Sequence, residues 1–302
     1  MTMASGARAQ EPLRWKFEKG AKFDYDMVQD MTIGSTGGPL GAQNVTMHQE
    51  LQMTWDVQDV NADGNAVIQQ KINRVKMKMA LPAPVGAIEY DSSSDQPPVG
   101  PAAMLAPMYS AMTKGAFTIT MTPRGEIKDV KIPEEVVAAL KASPGAAAMG
   151  DMATAEGFKK MISQGSLVLP ENAPKEGEEW STKVEVNNPA AGKQIVETTY
   201  KYEGTKDLEG VQFAEFQPTI KMNFEGAQVK ISEQTSDGEI LFNVAEGRLD
   251  SSKLEQHVTI DQPGGGQTKI DQNIVVTVKP AGAEASEAKS TEAAAPAAEE
   301  TK

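Results

Sequence analysis

The stretch that decides the fold is KFDYDMVQDMTI, Lys22 to Ile33. From Phe23 the large side chains fall on every second residue: Phe23, Tyr25, Met27, Met31 and Ile33, with Gln29 the one break. Between them stand Lys22, Asp24, Asp26, Asp30 and Thr32. A period of two over so long a run predicts an extended strand, polar on one face and apolar on the other. What covers the Phe/Tyr/Met face is the functional question of this chain.

The same rhythm repeats along the N-terminal half. Leu13, Trp15 and Phe17 alternate, and Gly20 interrupts the run. GSTGGPLG (34–41) reads as a flexible turn. Val45, Met47, Leu51, Met53, Trp55 and Val57 then share a face, opposite His48, Glu50, Gln52 and Thr54. After the turn VNADGNA, a third strand carries Ala66, Ile68 and Ile72 on one parity and Val75, Met77, Met79 and Leu81 on the other. A β-bulge near Asn73-Arg74 would return both sets to one side, because a bulge inserts one extra residue.

The middle of the chain changes period. Met104, Leu105, Met108 and Met112 are spaced as on a helix, and Pro107 predicts a kink or a start there. GAFTITMTPRGEIKDVKI reads as a hairpin turning at Pro123–Gly125. PEEVVAALK reads as a short helix with Pro133 at its first position and two glutamates in its first turn. Met149 to Gln164 is a further amphipathic candidate. From residue 177 strands return, and they are expected at 182–186, 196–202, 211–216, 220–224, 240–244, 254–260 and 270–278. The predicted class is mainly β with some α (α+β). It is a long antiparallel, strongly coiled sheet, half-barrel or barrel-like, with two or three mid-chain helices on its concave face.

The 302 residues divide into an N-terminal 1–10, a single β-rich domain 11–280 and an acidic Ala-rich tail 281–302 expected to be disordered. Within the domain, halves 11–132 and 177–280 flank a helical link 133–176. GAKFDYDM, MTWDVQDVNADGNAVI and GAFTITMTPRGEIKDV recur loosely as GEEWSTKVEV, YKYEGTKDLEGVQF and GEILFNVAEGRLDS. Either a two-half duplication or the common rhythm of any β-meander accounts for this.

Composition narrows the function classes. A net charge of −13 argues against nucleic acid and anionic membrane surfaces as partners. With no cysteine, disulfides, thiolate metal sites and cysteine nucleophiles are excluded. No apolar run is long enough to span a bilayer as a helix. An outer-membrane barrel fits the alternation but calls for aromatic girdles, and aromatics make up 5% of the chain. Ala7-Arg8-Ala9 has the A-x-A form of a signal-peptidase site, so an extracytoplasmic location, periplasmic or secreted, with residues 1–10 as a signal-peptide remnant or disordered, is the expectation.

Candidate chemistry is sparse. Asp59-x-Asn61-x-Asp63-Gly64 opens like an EF-hand loop, but position twelve is Gln70 rather than a bidentate carboxylate, so a hairpin turn is expected. Met77 and Met79, with Met47, Met53 and His48 nearby, offer soft copper ligands. His48 falls on the opposite face from Met47, however, and Met fills irregular interiors well, which favours core or cavity lining. No nucleophile elbow, phosphate loop or acid–base constellation is present, so no catalysis, cofactor or metal is expected.

The chain resembles an uncharacterised family of exported bacterial proteins classed as a domain of unknown function. The resemblance rests on GAKFDYDM, VQDVNADGNAVI, IEYDSSS, FTITMTPRGEIKDV and LPENAPKEGEEW, with Tyr90-Asp91-Ser92 and the Gly177-to-Trp180 spacing the most distinctive. It implies export, no known activity and no catalytic residues. At the level of fold, long strands with central helices resemble the half-barrels of periplasmic lipoprotein and lipid carriers. Two readings follow. In one, Phe23, Tyr25, Met27, Met31, Met47, Met53, Trp55, Met77, Met79, Met104, Met108 and Met112 line an apolar cavity for a hydrophobic ligand or lipidated partner. In the other, the same residues are ordinary core of an envelope protein that meets a protein partner. The oligomeric state is left open by the sequence.

Overall fold

The computed structural model describes residues 11–38, 41–142, 154–188, 192–226, 229–262 and 264–281. The A-x-A motif, Met149 and the tail beyond residue 281 lie outside them. Twelve antiparallel strands form one sheet: β1 (Lys22–Gly38), β2 (Gly41–Val60), β3 (Ala66–Ala80), β4 (Ala87–Asp91), β5 (Ala116–Met121), β6 (Ile127–Lys131), β7 (Glu179–Asn188), β8 (Gly192–Leu208), β9 (Val211–Glu225), β10 (Lys230–Asn243), β11 (Arg248–Asp261) and β12 (Gln267–Pro280). Three helices are described: α1 (Ala102–Lys114), α2 (Glu134–Ala142) and α3 (Ala155–Gln164). The strand order is β6-β5-β3-β2-β1-β12-β11-β10-β9-β8-β7, with β4 beside the second half of β3.

This order is a meander that starts and finishes at the centre of the sheet. The chain runs outward from β1 to β6 and returns inward from β7 to β12, leaving β6 and β7 as edges that do not pair. At about 3.3 Å per residue, the 20 residues of β2 reach about 66 Å, and strands of that length must coil. The coiling is visible in the packing. Ile68, Ile119 and Met121 of β3 and β5 share one core with Tyr200, Tyr202, Phe216 and Phe242 of β8, β9 and β10, far away in strand order.

Two extended segments close the lower end. In residues 13–17, Trp15 N–H donates to the Pro123 carbonyl (2.7 Å) and Lys16 N–H to the Gly247 carbonyl (2.8 Å). This ties the β5–β6 turn to the β10–β11 turn. The Leu13/Trp15/Phe17 alternation therefore marks a cross-tie rather than the expected strand, because its backbone bonds go to turns instead of a ladder. Residues 166–170 form the second segment, in the gap between β6 and β7, and α3 packs against both edges. Its carbonyls are taken one after another: Ser166 by Tyr200 Oη (3.0 Å), Leu167 by Trp15 Nε1 (3.1 Å), Val168 by Trp180 Nε1 (2.7 Å), Leu169 by Arg124 Nε (3.0 Å) and Pro170 by Arg14 (2.9 Å). Gly125 is required beside this segment: its φ is +92°, and a Cβ there would lie 2.0 Å from the Leu167 carbonyl oxygen.

Several boundaries differ from the sequence reading. The Gly-rich 34–41 stretch is mostly strand, since Gly and Ser accept extended geometry and Gly38 pairs with Gly41. The first helix starts at Ala102 and carries Pro107 inside it. The two strands expected at 211–216 and 220–224 are one strand through Pro218. The proline is tolerated because the β9–β10 ladder ends at Phe216–Ile240, so no bond to β10 is lost at Pro218. The bulge near Asn73 is present: Gln52 pairs with Arg74 and Met53 with Ile72, leaving Asn73 extra.

Candidate functional site

The alternation of the long strands sorts their side chains into two faces. On the outer face, cross-strand charges pair: Lys22–Asp56 (2.8 Å), Lys76–Glu50 (2.7 Å), Lys78–Glu89 (3.3 Å). His48 joins this ladder, 2.7 Å from Asp30 and 3.2 Å from Glu50. The Asp30 hydrogen bond, aided by Glu50 and opposed by partial burial, lifts the imidazole above its ordinary value. Lys76 holds the Glu50 carboxyl below the usual range.

The inner face is divided. Its lower half is filled by the core beneath the cross-tie, against which Phe23 and Trp55 pack. Tyr25 is buried there too, stacked obliquely on Trp55 at 4.6 Å, and burial pushes its phenol well above the usual value. Over β3, β4 and β5 the helices close the inner face. Val75, Met77, Ile88, Tyr90 and Phe117 pack with Ala102, Val136, Leu140 and Phe158, and Met47, Met53, Met79, Met108 and Met112 border that cluster. Two of the thioethers accept hydrogen bonds, Met77 from Tyr109 Oη and Met53 from Gln70 Nε2, both at 3.5 Å.

Elsewhere the upper inner face carries no helix among the described residues. Met27, Met31 and Ile33 of β1 stand there, with Leu254 of β11 and Ile270, Ile274 and Val276 of β12; all are half-buried and in neither packed cluster. One cross-strand row shows the character of this region. It runs Ile88, Met79, Met47, Met31, Gln272, Gln256 and Ser236, then crosses to Ile220 and Thr198. The wall from β4 to β1 is apolar and thioether-rich. In this row the positions from β12 to β10 are amide and hydroxyl, with Leu254, Val258, Ile270 and Ile274 apolar in the rows on either side.

Beyond Ile240 the β9–β10 ladder gives way to side chains. Ile220 N–H donates to Ser236 Oγ (2.6 Å), Met222 N–H donates to Gln234 Oε1 (2.8 Å), and Gln234 Nε2 donates back to the Met222 carbonyl (3.2 Å). Pro218 has no N–H to continue the ladder, and Gly238, where a Cβ would lie 2.9 Å from Pro218 Cγ, lets its ring approach closely. A serine and a glutamine span the seam beyond them.

A hollow of about 430 Å³ crosses β1 to β4. It is lined by two neighbouring outer-face rows, Asp30–His48–Lys78–Glu89 and Thr32–Thr46–Ala80–Ala87, with the single row Met31–Met47–Met79–Ile88 between them. That pattern places the hollow on the outer face, with the methionine row contributing its floor.

The twelve residues singled out in the sequence thus separate. Tyr25, Met77, Phe23, Trp55, Met47, Met53, Met79, Met108 and Met112 pack in or against the cores. Met27 and Met31 line the open inner face. Met104 stands 57% exposed on α1, apart from the others. The Gln272, Gln256 and Ser236 wall was missed, although the period-two placement of Gln256 in step with buried Val258 and Ile260 carries the signal. The EF-hand-like stretch is a turn: Asn61 Oδ1 accepts from the N–H groups of Asp63 (3.0 Å) and Asn65 (2.9 Å), and Asp59 pairs with Lys19.

The distinctive motifs are structural. Tyr90 stacks on Tyr109 at 5.1 Å, Asp91 takes a forked bond from Arg74, and Ser92 Oγ accepts the Val75 N–H (2.9 Å). Together they fasten the end of β4 beside the Asn73 bulge. Gly177 N–H donates to the Tyr202 carbonyl (2.7 Å), and Trp180 holds Val168, which sets the start of β7.

Residues 63–272 match the profile of DUF6263, described as a family of unknown function. The chain belongs to this family. No functionally curated protein matches the DUF6263 chain in sequence. Among solved structures it is similar to lipovitellin, from a study of lipid–protein interactions, at TM-score 0.49 and 13% identity, covering 90% of this chain and 27% of that one. The chain therefore spans about a quarter of the lipovitellin chain. It is also similar to an outer membrane channel from Pseudomonas putida F1 (TM-score 0.31, 8% identity, 92% of this chain and 100% of that one). A third likeness is to DynF of dynemicin biosynthesis in Micromonospora chersina (TM-score 0.18, 7% identity, 91% and 90%). No helix among the described residues is long and apolar enough to cross a membrane.

Proposed function

We propose that this DUF6263 chain is a non-catalytic, extracytoplasmic protein that holds an apolar, lipid-like ligand against the open inner face of its coiled sheet. One observation carries the reading. Met27, Met31, Ile33, Ile270, Ile274 and Val276 lie on the concave side, half-buried, and belong to neither packed cluster. Apolar surface left uncovered on a concave face is where burial of a ligand's hydrocarbon gains most, about 25 cal/mol for each Å² removed from water. Methionine suits such a wall because its unbranched, polarisable side chain adapts to a flexible chain.

Native mass spectrometry after gentle extraction, followed by titration with a fluorescent acyl probe, tests this. A co-purifying lipid mass, or saturable uptake that Met31→Asp weakens at least tenfold while Lys78→Ala on the outer face leaves it unchanged, is the expected result. A ligand-free protein that takes up no probe contradicts it. Export is checked by fractionation of the native host.

A second reading, an envelope protein with a protein partner and no ligand, is favoured by Met53 and Met77. Their sulfurs accept hydrogen bonds inside packed surroundings, as core residues do. Co-purification of a stoichiometric partner with an empty interior would select it.

A further inference from the structure

We infer that Gln256 is the head-group anchor of the inner face, and that the ligand it takes is a neutral acyl ester rather than a bare hydrocarbon or a free fatty acid. This rests on the apolar-ligand reading above and adds the polar end of the molecule.

Gln256 lies on β11 between Leu254 and Val258, with alternate residues Glu255 and His257 exposed on the outer face. The residue is 9% exposed, and its Nε2 has no hydrogen-bond partner. A buried N–H donor without an acceptor is costly, and an occupant that supplies the acceptor recovers that cost. The neighbours do not supply it. Ser236, directly opposite on β10, spends its hydroxyl on Ile220 across the seam. Gln272, opposite on β12, leads to Met31 and the apolar wall. The donor therefore sits inside the amide row, one strand beyond Gln272 and two from Met31, where an amphiphile whose chain runs over the β1 methionines can place its carbonyl.

The charge of the ligand follows from the surroundings. Leu254, Val258, Gln272 and Ser236 carry no charge, so nothing flanking the amide compensates a buried carboxylate. An ester carbonyl accepts from Nε2 without that penalty.

The test compares methyl oleate, oleic acid and 1-octadecene as competitors for a neutral fluorophore, N-phenyl-1-naphthylamine, in the full chain. The wild type is expected to prefer methyl oleate about tenfold over both, the scale of one hydrogen bond. Gln256→Leu should abolish the preference and retain 1-octadecene binding. Gln272→Leu, on the same row without an orphaned atom, should keep the preference. Gln256→Met substitutes if the leucine variant does not fold. Retention of the ester preference in the Gln256 variant, or a wild type that binds all three equally, overturns the anchor while leaving the apolar site standing. A wild type that binds none of them overturns both.

Discussion

At the scale of single residues, two ionisable groups on the outer face make opposite contributions with pH. His48 is held above its ordinary pKa, chiefly by the Asp30 hydrogen bond, so its charged pair with Asp30 and Glu50 stabilises the fold fully below the unfolded imidazole value. That contribution fades as pH rises through the elevated value. Asp91 is held well below the usual carboxylate range, first by Arg74 and then by Ser93, so its contribution is complete above the unfolded value and is lost as pH falls. Thermal melts should show His48→Gln destabilised most at about pH 5 and little at about pH 9. Asp91→Asn should be destabilised at neutrality and indistinguishable from wild type in strong acid. Flat difference profiles would contradict both assignments. The pairing of His48 with acids was partly legible, since parity places it opposite the methionines. Arg74 as the partner of Asp91 was not, because it depends on how β4 registers on β3.

At the scale of elements, the strands with uninterrupted alternation were legible from the residues, and so was the Asn73 bulge, because the hydrophobic phase slips by one there. Three features escaped for a shared reason. The 13–17 cross-tie, the continuity of β9 through Pro218 and the β9–β10 seam are set by where backbone bonds find partners across the molecule, and local alternation carries no record of that. The 166–170 segment is the strongest case. Its five carbonyls are satisfied by side chains from five separate positions, none near it in sequence except Trp180. It replaces the missing ladder between β6 and β7. Trp180→Phe keeps most of the ring packing on Tyr200 and Phe216 but orphans the Val168 carbonyl. A loss of about 1–2 kcal/mol in denaturant unfolding is expected, with faster amide exchange concentrated at the Leu169 N–H, which bonds to the Arg124 carbonyl. Unchanged stability would mean that the segment does not hold the edges together.

At the scale of the whole molecule, the fold is a meander of long strands opened at one place and coiled until β3 and β5 meet β8 to β10. The two halves run in opposite senses across the sheet, outward and then inward, so the recurrence of short motifs marks equivalent hairpins along a meander as readily as a duplicated unit. Most of the predicted methionine face became core beneath the helices, and composition cannot distinguish that core from a cavity wall, since both want the same side chains. What remains open is the β1, β11 and β12 face, where Met31 adjoins the Gln272–Gln256 row and Met27 adjoins Val276. Methyl-labelled methionine NMR resolves this directly, since the 16 methionines include Met27 and Met31 on the open face, several in the core beneath the helices, and exposed Met104 and Met161. On titration with methyl oleate the account predicts that the Met27 and Met31 resonances shift together and saturably, while the exposed Met104 and Met161 stay still. A spectrum in which nothing moves, or in which only Met104 and Met161 respond, would contradict it.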